Sequence, residues 1–467
     1  WLVTLTFKTP FFKGSILAES RLTPLIVALF ASLVFIAHPV QTQAVSYTVQ
    51  RFTSLATLFY LLSLALYAKW RLATDRPEGH SIFVFKVSVD LGVKKAFFYT
   101  AALIAALLAM LTKEIAFTLP VIVALWEFAF FNGPLKRRAL NLLPFAFTLP
   151  VIPLALAGSR ASLTSAGGTM EPPPAVDYFL TQLRVIVTYL RLLVLPLGQN
   201  LDYDYPVYRS FLNPNVLLSF IFLLAFAGLG VFLWRYSKKG GKDALLRLAA
   251  FGILWFFITL SVESSFITIA DVIFEHRLYL PSFGIVMAAV GGAVWATFAL
   301  KERFPAIDRV AIALGTIVVV VLAVATFERN KVWADPIALW EDTAAKSPGK
   351  ARPHNNLGVS YESADQTDKA EIEFKRAVDL YPEYPDPYKN LGVYYMKKEQ
   401  YEEALQYFLK SLELDPENYV VHNDLGNAYA MQQQFNEARA EFQEALRLKP
   451  DYQKAIENMQ ILEEIKQ

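Results

Sequence analysis

Apolar residues fall in long blocks up to about residue 330 and in a short amphipathic period beyond it. The blocks cover 22–38, 52–69, 97–112, 114–131, 140–158, 178–197, 215–234, 245–262, 280–300 and 309–326. Most approach the ~20 residues that an α-helix needs to cross ~30 Å of hydrocarbon, which predicts a polytopic bundle of membrane helices. Beyond residue 330 the pattern repeats every 34 residues. Leu357-Gly358, Leu391-Gly392 and Leu425-Gly426 keep that spacing, as do Tyr361/Tyr395/Tyr429, Ala370/Ala404/Ala438, Phe374/Phe408/Phe442 and Pro382/Pro416/Pro450.

One period held in five registers is the signature of a tetratricopeptide (TPR) array. Such helix pairs stack side by side, burying a continuous core and leaving a concave groove. The register also continues backward, with Trp340 in phase with Phe374 and Pro348 in phase with Pro382. The expected organisation is a membrane domain over 1–330, a linker and half-repeat over 331–351 and three repeats over 352–453. A capping helix over 454–467 closes it, with Ala455, Met459, Leu462 and Ile465 facing inward. The fold class is all-α, a helical membrane bundle followed by an α-solenoid.

Charge divides at the same place. From 331 onward 16 Lys and Arg stand against 25 Asp and Glu, while the preceding part holds 28 against 17, so a net of +2 hides −9 and +11. Cysteine is absent, which excludes disulfides, thiolate nucleophiles and Cys-ligated metals. The chain begins at Trp1 and reads as the remainder of a longer one. Basic residues cluster at Lys69 to Lys95, Lys136-Arg137-Arg138, Arg235 to Arg247 and Lys301 to Arg309, and the positive-inside rule places these connections in the cytoplasm. An even number of crossings must then separate 139 from 235. The stretch 178–197 is the weakest of the three between them, with Thr181, Arg184, Thr188 and Arg191 along one face. It reads as a re-entrant or interfacial helix, or as a span whose arginines face the bundle interior. With the re-entrant reading the TPR tail lies outside, and the outer connections are 39–51, 112–114, 159–177, 198–214 and 263–279.

Ionisable groups collect in those connections, where a site is expected. His38-Pro39-Val40-Gln41-Thr42-Gln43-Ala44-Val45 ends one helix at Pro39 and leads to Arg51; this His and Arg either bind a phosphate or anchor the interface. Lys113-Glu114 is squeezed between two apolar stretches, and adjacent helical residues do not face one another, so each is expected to pair elsewhere. In Asp202-Tyr203-Asp204 an extended backbone would aim both carboxylates to one side, as a divalent metal or a proton acceptor requires. Glu263, Asp271, Glu275, His276 and Arg277 precede a helix start, where a guanidinium and backbone N–H groups suit one phosphate. In the repeats, Asn356, Asn390 and Asp424 occupy one slot on the groove side, suited to an extended peptide. No Ser-His-Asp spacing, Gly-rich phosphate loop or metalloprotease helix is present.

The order of His38 to Val45, Lys113-Glu114, Arg277-Leu278-Tyr279-Leu280-Pro281-Ser282 and the repeats resembles a bacterial member of the transmembrane-and-TPR proteins related to protein O-mannosyltransferases. That resemblance implies a GT-C fold that moves a sugar from a polyprenyl-phosphate carrier to Ser or Thr hydroxyls on the outer face, usually with inversion. It makes Arg51, Lys113 and Arg277, with His38, candidates for the carrier phosphate; Arg184 and Arg191 join them by position. The family's principal acid belongs to a first outer loop upstream of Trp1, which leaves Glu114, Asp202 and Asp204 as carboxylates to test. Membrane lipid and a polypeptide in the groove are the expected partners, with no nucleic acid. The polyprenyl-phosphate-linked sugar is the donor the resemblance implies, and a divalent metal stays open beside it. The location is an inner membrane, with the repeats on the periplasmic side. The alternative is a noncatalytic membrane anchor whose repeats recruit an envelope or secreted assembly.

Overall fold

A computed structural model describes residues 1–13, 15, 22–75, 91–159, 172–239, 241 and 243–465. Most of the basic connection 69–95 and of the outer connection 159–177 therefore lies outside the described residues. Among the described residues every regular element is helical. The chain forms two compact units, one of residues 1–201 and 205–331, the other of 202–204 and 332–467.

Among the described residues, six helices are long and apolar enough to cross a membrane: Thr48–Thr74, Gly92–Thr112, Leu135–Ala155, Pro214–Tyr236, Glu275–Leu300 and Ile307–Ala334. A seventh arises if Leu22–Ala37 and Pro39–Ser46, bent by 56° at His38, make one span. The bend has a local cause. Pro39 has no N–H to continue the ladder, and His38 instead caps the next turn, its Nδ1 accepting from Val40 N–H at 3.3 Å.

Two other apolar blocks depart from simple spans. Lys113 adopts extended backbone angles, so 114–131 becomes a 3₁₀ turn, Glu114–Thr118, and a helix of 12 residues, Leu119–Phe130. The helix Ala175–Val194 carries Asp177, Arg184 and Arg191, too many charges for a purely apolar span. The core beneath these elements is aromatic, with Trp126, Trp255, Tyr60 and Phe130 fully buried. Helices Ala244–Leu260 and Tyr279–Leu300 meet so closely that a Cβ on Gly252 would lie 2.2 Å from the Gly284 carbonyl oxygen. Glu127, buried within an apolar helix, accepts from Arg71 Nε at 3.2 Å and Tyr67 at 3.1 Å, and lies 3.5 Å from Arg138. Such a charge persists only because its partners satisfy it.

The second unit begins with helix Pro336–Lys346, continues as three helix pairs over 351–380, 385–414 and 419–448, and ends with Gln453–Ile465. The period in the sequence is a packing period. Phe374, Phe408 and Phe442 are buried beneath Gly358, Gly392 and Gly426, where a Cβ would stand 2.5 Å from the ring in every repeat. Ala370, Ala404 and Ala438, each fully buried, let the paired helices approach.

Candidate functional site

Three segments far apart in sequence converge in the first unit. Lys113 leaves the end of helix Leu91–Thr112 and donates to Thr53 Oγ1 at 2.8 Å. Its Nζ lies 3.5 Å from Glu263 Oε1, and Arg277 Nε reaches the same oxygen from the opposite side of the sequence at 4.0 Å. All three side chains are largely buried. Arg277 is held from behind, donating to the carbonyls of Asp271 at 2.9 Å and Val272 at 3.3 Å. These backbone acceptors fix the guanidinium, while Glu263 balances two cations at distances longer than the about 2.7–2.9 Å of a closed charge-assisted hydrogen bond.

The surrounding shell is built from the His38–Gln43 loop, helix Ala175–Val194 and the turn Glu275–Leu278. Gln43 Oε1 accepts from His276 N–H at 2.6 Å, and Gln41 Nε2 donates to Ser282 Oγ at 3.0 Å. Gln182 Nε2 donates to the Val272 carbonyl that Arg277 also uses, at 2.7 Å. Glu275 accepts from Gln199 Nε2 and Asn200 N–H, both at 2.7 Å, and so locks its own turn. His276 stacks on Phe274 and lies within electrostatic reach of Lys113 and Arg277. Among the described residues of this shell, buried polar atoms without a partner include Gln41 Oε1, Thr42 Oγ1, Gln182 Oε1, Ser264 Oγ and His276 Nδ1.

The other residues singled out by sequence divide differently. His38 is buried and engaged at both ring nitrogens, Nε2 donating to the Leu193 carbonyl at 3.1 Å and Nδ1 accepting from Val40. Exposed Arg51 donates to the Val45 carbonyl at 3.2 Å. Glu114 is exposed. Arg184 and Arg191 lie within electrostatic reach of Tyr205, whose hydroxyl meets Thr188 Oγ1 at 2.9 Å, and Arg191 donates to the Leu197 carbonyl. Asp202 and Asp204 do not form a paired-carboxylate site. Asp202 is buried against Lys350 and Arg352, the latter donating from Nη2 at 2.7 Å, whereas Asp204 is exposed and anchored by its N–H to Ser347 Oγ. Among the described residues no three His, Asp or Glu side chains group as a metal ion requires. Sequence reading named Glu263 in its loop but missed its place between the cations; the only signal was a carboxylate closing an apolar helix.

In the repeats, Asn390 spends its amide on Asn355 Oδ1 at 2.8 Å, and Asn458 repeats the contact with Asn423 at 2.9 Å. Asn356 and Asp424 accept more weakly from the asparagine before each, at 3.5 and 3.3 Å. The slot thus runs partly along the array. Asp424 lines a cavity of about 260 Å³, together with Val393, Met396, Lys397, Phe408 and Asn427. Burial holds the Asp424 carboxyl above the ordinary aspartate range.

Family models of the tetratricopeptide repeat match residues 351–384, 385–418 and 419–452. Protein O-mannosyl-transferase TMTC3 of Homo sapiens is 22% identical over 376 residues, covering 76% of this chain and 39% of the relative. Protein O-mannosyl-transferase F38B6.6 of Caenorhabditis elegans is 23% identical over 366 residues, covering 77% and 46%. The chain therefore spans two fifths to a half of the length of these relatives. Among solved structures, the first TPR of Spaghetti (RPAP3) is 19% identical with a TM-score of 0.25, covering 25% of this chain and 92% of that one. MamA 41-end from Desulfovibrio magneticus is 19% identical with a TM-score of 0.27, covering 28% and 73%. Apolar helices long enough to cross a membrane, followed by three tetratricopeptide repeats, thus make up a chain that is similar over about three quarters of its length to the protein O-mannosyl-transferases TMTC3 and F38B6.6.

Proposed function

We propose that this chain is the carrier-binding and acceptor-binding part of a membrane glycosyltransferase, which moves a sugar from a polyprenyl-phosphate carrier to Ser or Thr of a polypeptide. The observation that carries the reading is the convergence of Lys113 and Arg277 on one buried carboxylate, which neither cation closes upon. An acceptor hydroxyl oxygen forms a bond to the anomeric carbon while the bond from that carbon to the carrier phosphate oxygen breaks. The phosphate leaves with the electron pair, rising from one negative charge to two. Lys113 and Arg277 stabilise that added charge in a site shielded from water, where fixed cations act most strongly. The hydroxyl proton passes to a carboxylate. Of the three carboxylates singled out in this chain, Glu114 suits the role best, because Asp202 is committed to Lys350 and Arg352 and Asp204 shares its segment. The acceptor lies along the repeats, with Asp424 in its cavity, on the outer side of the membrane.

The test is transfer of labelled mannose from polyprenyl-phosphate mannose to a Ser/Thr-rich protein by the full-length protein in nanodiscs. Lys113→Met and Arg277→Met should each abolish transfer while the protein remains folded. Transfer at wild-type rates in both would refute the reading and leave the membrane scaffold.

A further inference from the structure

The partnerless atoms around the cation pair specify more than a phosphate. Gln41, Thr42, Gln182, Ser264 and His276 are each less than a tenth exposed. Buried polar atoms nearly always find a partner, so a cluster of orphans requires an explanation of its own. These five come from four separated segments, each linked by a hydrogen bond or by chain adjacency to the residues that hold Lys113, Glu263 and Arg277. Gln182 shares the Val272 carbonyl with Arg277, Ser264 follows Glu263, and His276 precedes Arg277. Gln41 and Thr42 belong to the loop whose Gln43 receives the His276 N–H.

Their chemistry narrows the ligand. The orphaned atoms of Gln41 and Gln182 are amide oxygens, which can only accept. An ionised phosphodiester also only accepts, so it cannot satisfy them; groups bearing O–H can. Thr42 and Ser264 add hydroxyls that donate or accept, and His276 Nδ1 takes either role according to its tautomer. None of these five atoms carries a fixed charge. We propose that they form a hydroxyl-binding subsite beside the cations, which holds the sugar ring attached to the carrier phosphate. This inference rests on the carrier reading above and extends it, since it assigns recognition of the sugar to residues that do not touch the phosphate.

The experiment compares binding of bare polyprenyl phosphate and polyprenyl-phosphate mannose to the full protein in nanodiscs by native mass spectrometry, with Thr42→Val and Ser264→Ala. Both substitutions delete a hydroxyl that has no partner in the fold, so neither should lower thermal stability. The wild type should bind the glycosylated carrier more tightly than the bare one. Each variant should lose about fivefold to tenfold in affinity for the glycosylated carrier, with bare-carrier binding unchanged. If both variants keep the wild-type preference, water fills the orphaned positions and the subsite is refuted. Equal binding of the two lipids by the wild type would overturn the subsite while sparing the carrier reading. Failure to bind either lipid would overturn both.

Discussion

Replacing Glu263 by Gln isolates the electrostatics of the site, because the amide keeps the shape of the carboxylate and removes its charge. At 3.5 and 4.0 Å, with an effective dielectric of about 20, the carboxylate attracts each cation by about 4–5 kcal/mol before desolvation is subtracted. Desolvation of the buried groups offsets much of this, and breaking a buried ion pair by removing one partner typically costs about 3–5 kcal/mol. Glu263→Gln should therefore lose about that much stability in SDS-titrated unfolding from mixed micelles. The same substitution should enlarge the stabilisation that saturating polyprenyl phosphate provides, because the incoming anion then supplies the charge that Glu263 supplied. Anion binding stabilises by mass action only through its preference for the folded state, so the two effects are separable in one titration. Wild-type stability in the variant, or a carrier-induced shift no larger than in the wild type, would refute the claim that one carboxylate holds both cations in readiness for an anion.

Other perturbations test the remaining structure. Gly392→Ala drives a methyl into the Phe408 ring, where the built Cβ lies 2.5 Å away, and should cost about 1–3 kcal/mol in thermal unfolding; adding Phe408→Leu should recover part of it. Asp202→Asn leaves Lys350 and Arg352 facing a neutral amide, and should lower stability by about 3 kcal/mol while carrier-phosphate binding stays at the wild-type value. His422 donates to Glu441 at 2.6 Å, and that bond raises its pKa above the ordinary 6.5. Because the folded-state value is the raised one, the pair's contribution is complete below pH 6.5 and is lost as pH climbs through the higher value. Melting curves of Glu441→Gln across that range should be flatter than those of the wild type.

How far the sequence reaches depends on the range of the interaction that decides each feature. The repeats are legible because each 34-residue unit contains both halves of its own contact, a glycine and the phenylalanine sixteen residues later. The helix end at Pro39 is equally local, since a missing N–H needs no distant partner. The convergence of Lys113 and Arg277 on Glu263 is different. It joins residues 113, 263 and 277 through packing that no local spacing encodes, so both cations could be named as phosphate candidates while the carboxylate they share could not. For the same reason His38 and Arg51 stood in the sequence as either phosphate ligands or interfacial anchors, and only the fold supplies their partners, the Leu193 and Val45 carbonyls. Glu127 was hidden more thoroughly. A lone carboxylate in an apolar run signals a buried partner, but Arg71 and Arg138 lie in connections whose basic residues already satisfy the positive-inside rule.

The central claim is that Lys113 and Arg277 together hold a carrier phosphate. Native mass spectrometry of the full protein with polyprenyl phosphate, comparing Lys113→Met, Arg277→Met and Arg51→Met, measures it most directly. A lost hydrogen bond to a charged group corresponds to about tenfold to hundredfold in affinity, and each of the first two variants should lose that much while Arg51→Met binds as the wild type does. Undiminished binding in Lys113→Met and Arg277→Met would contradict the account, as would a loss confined to Arg51→Met.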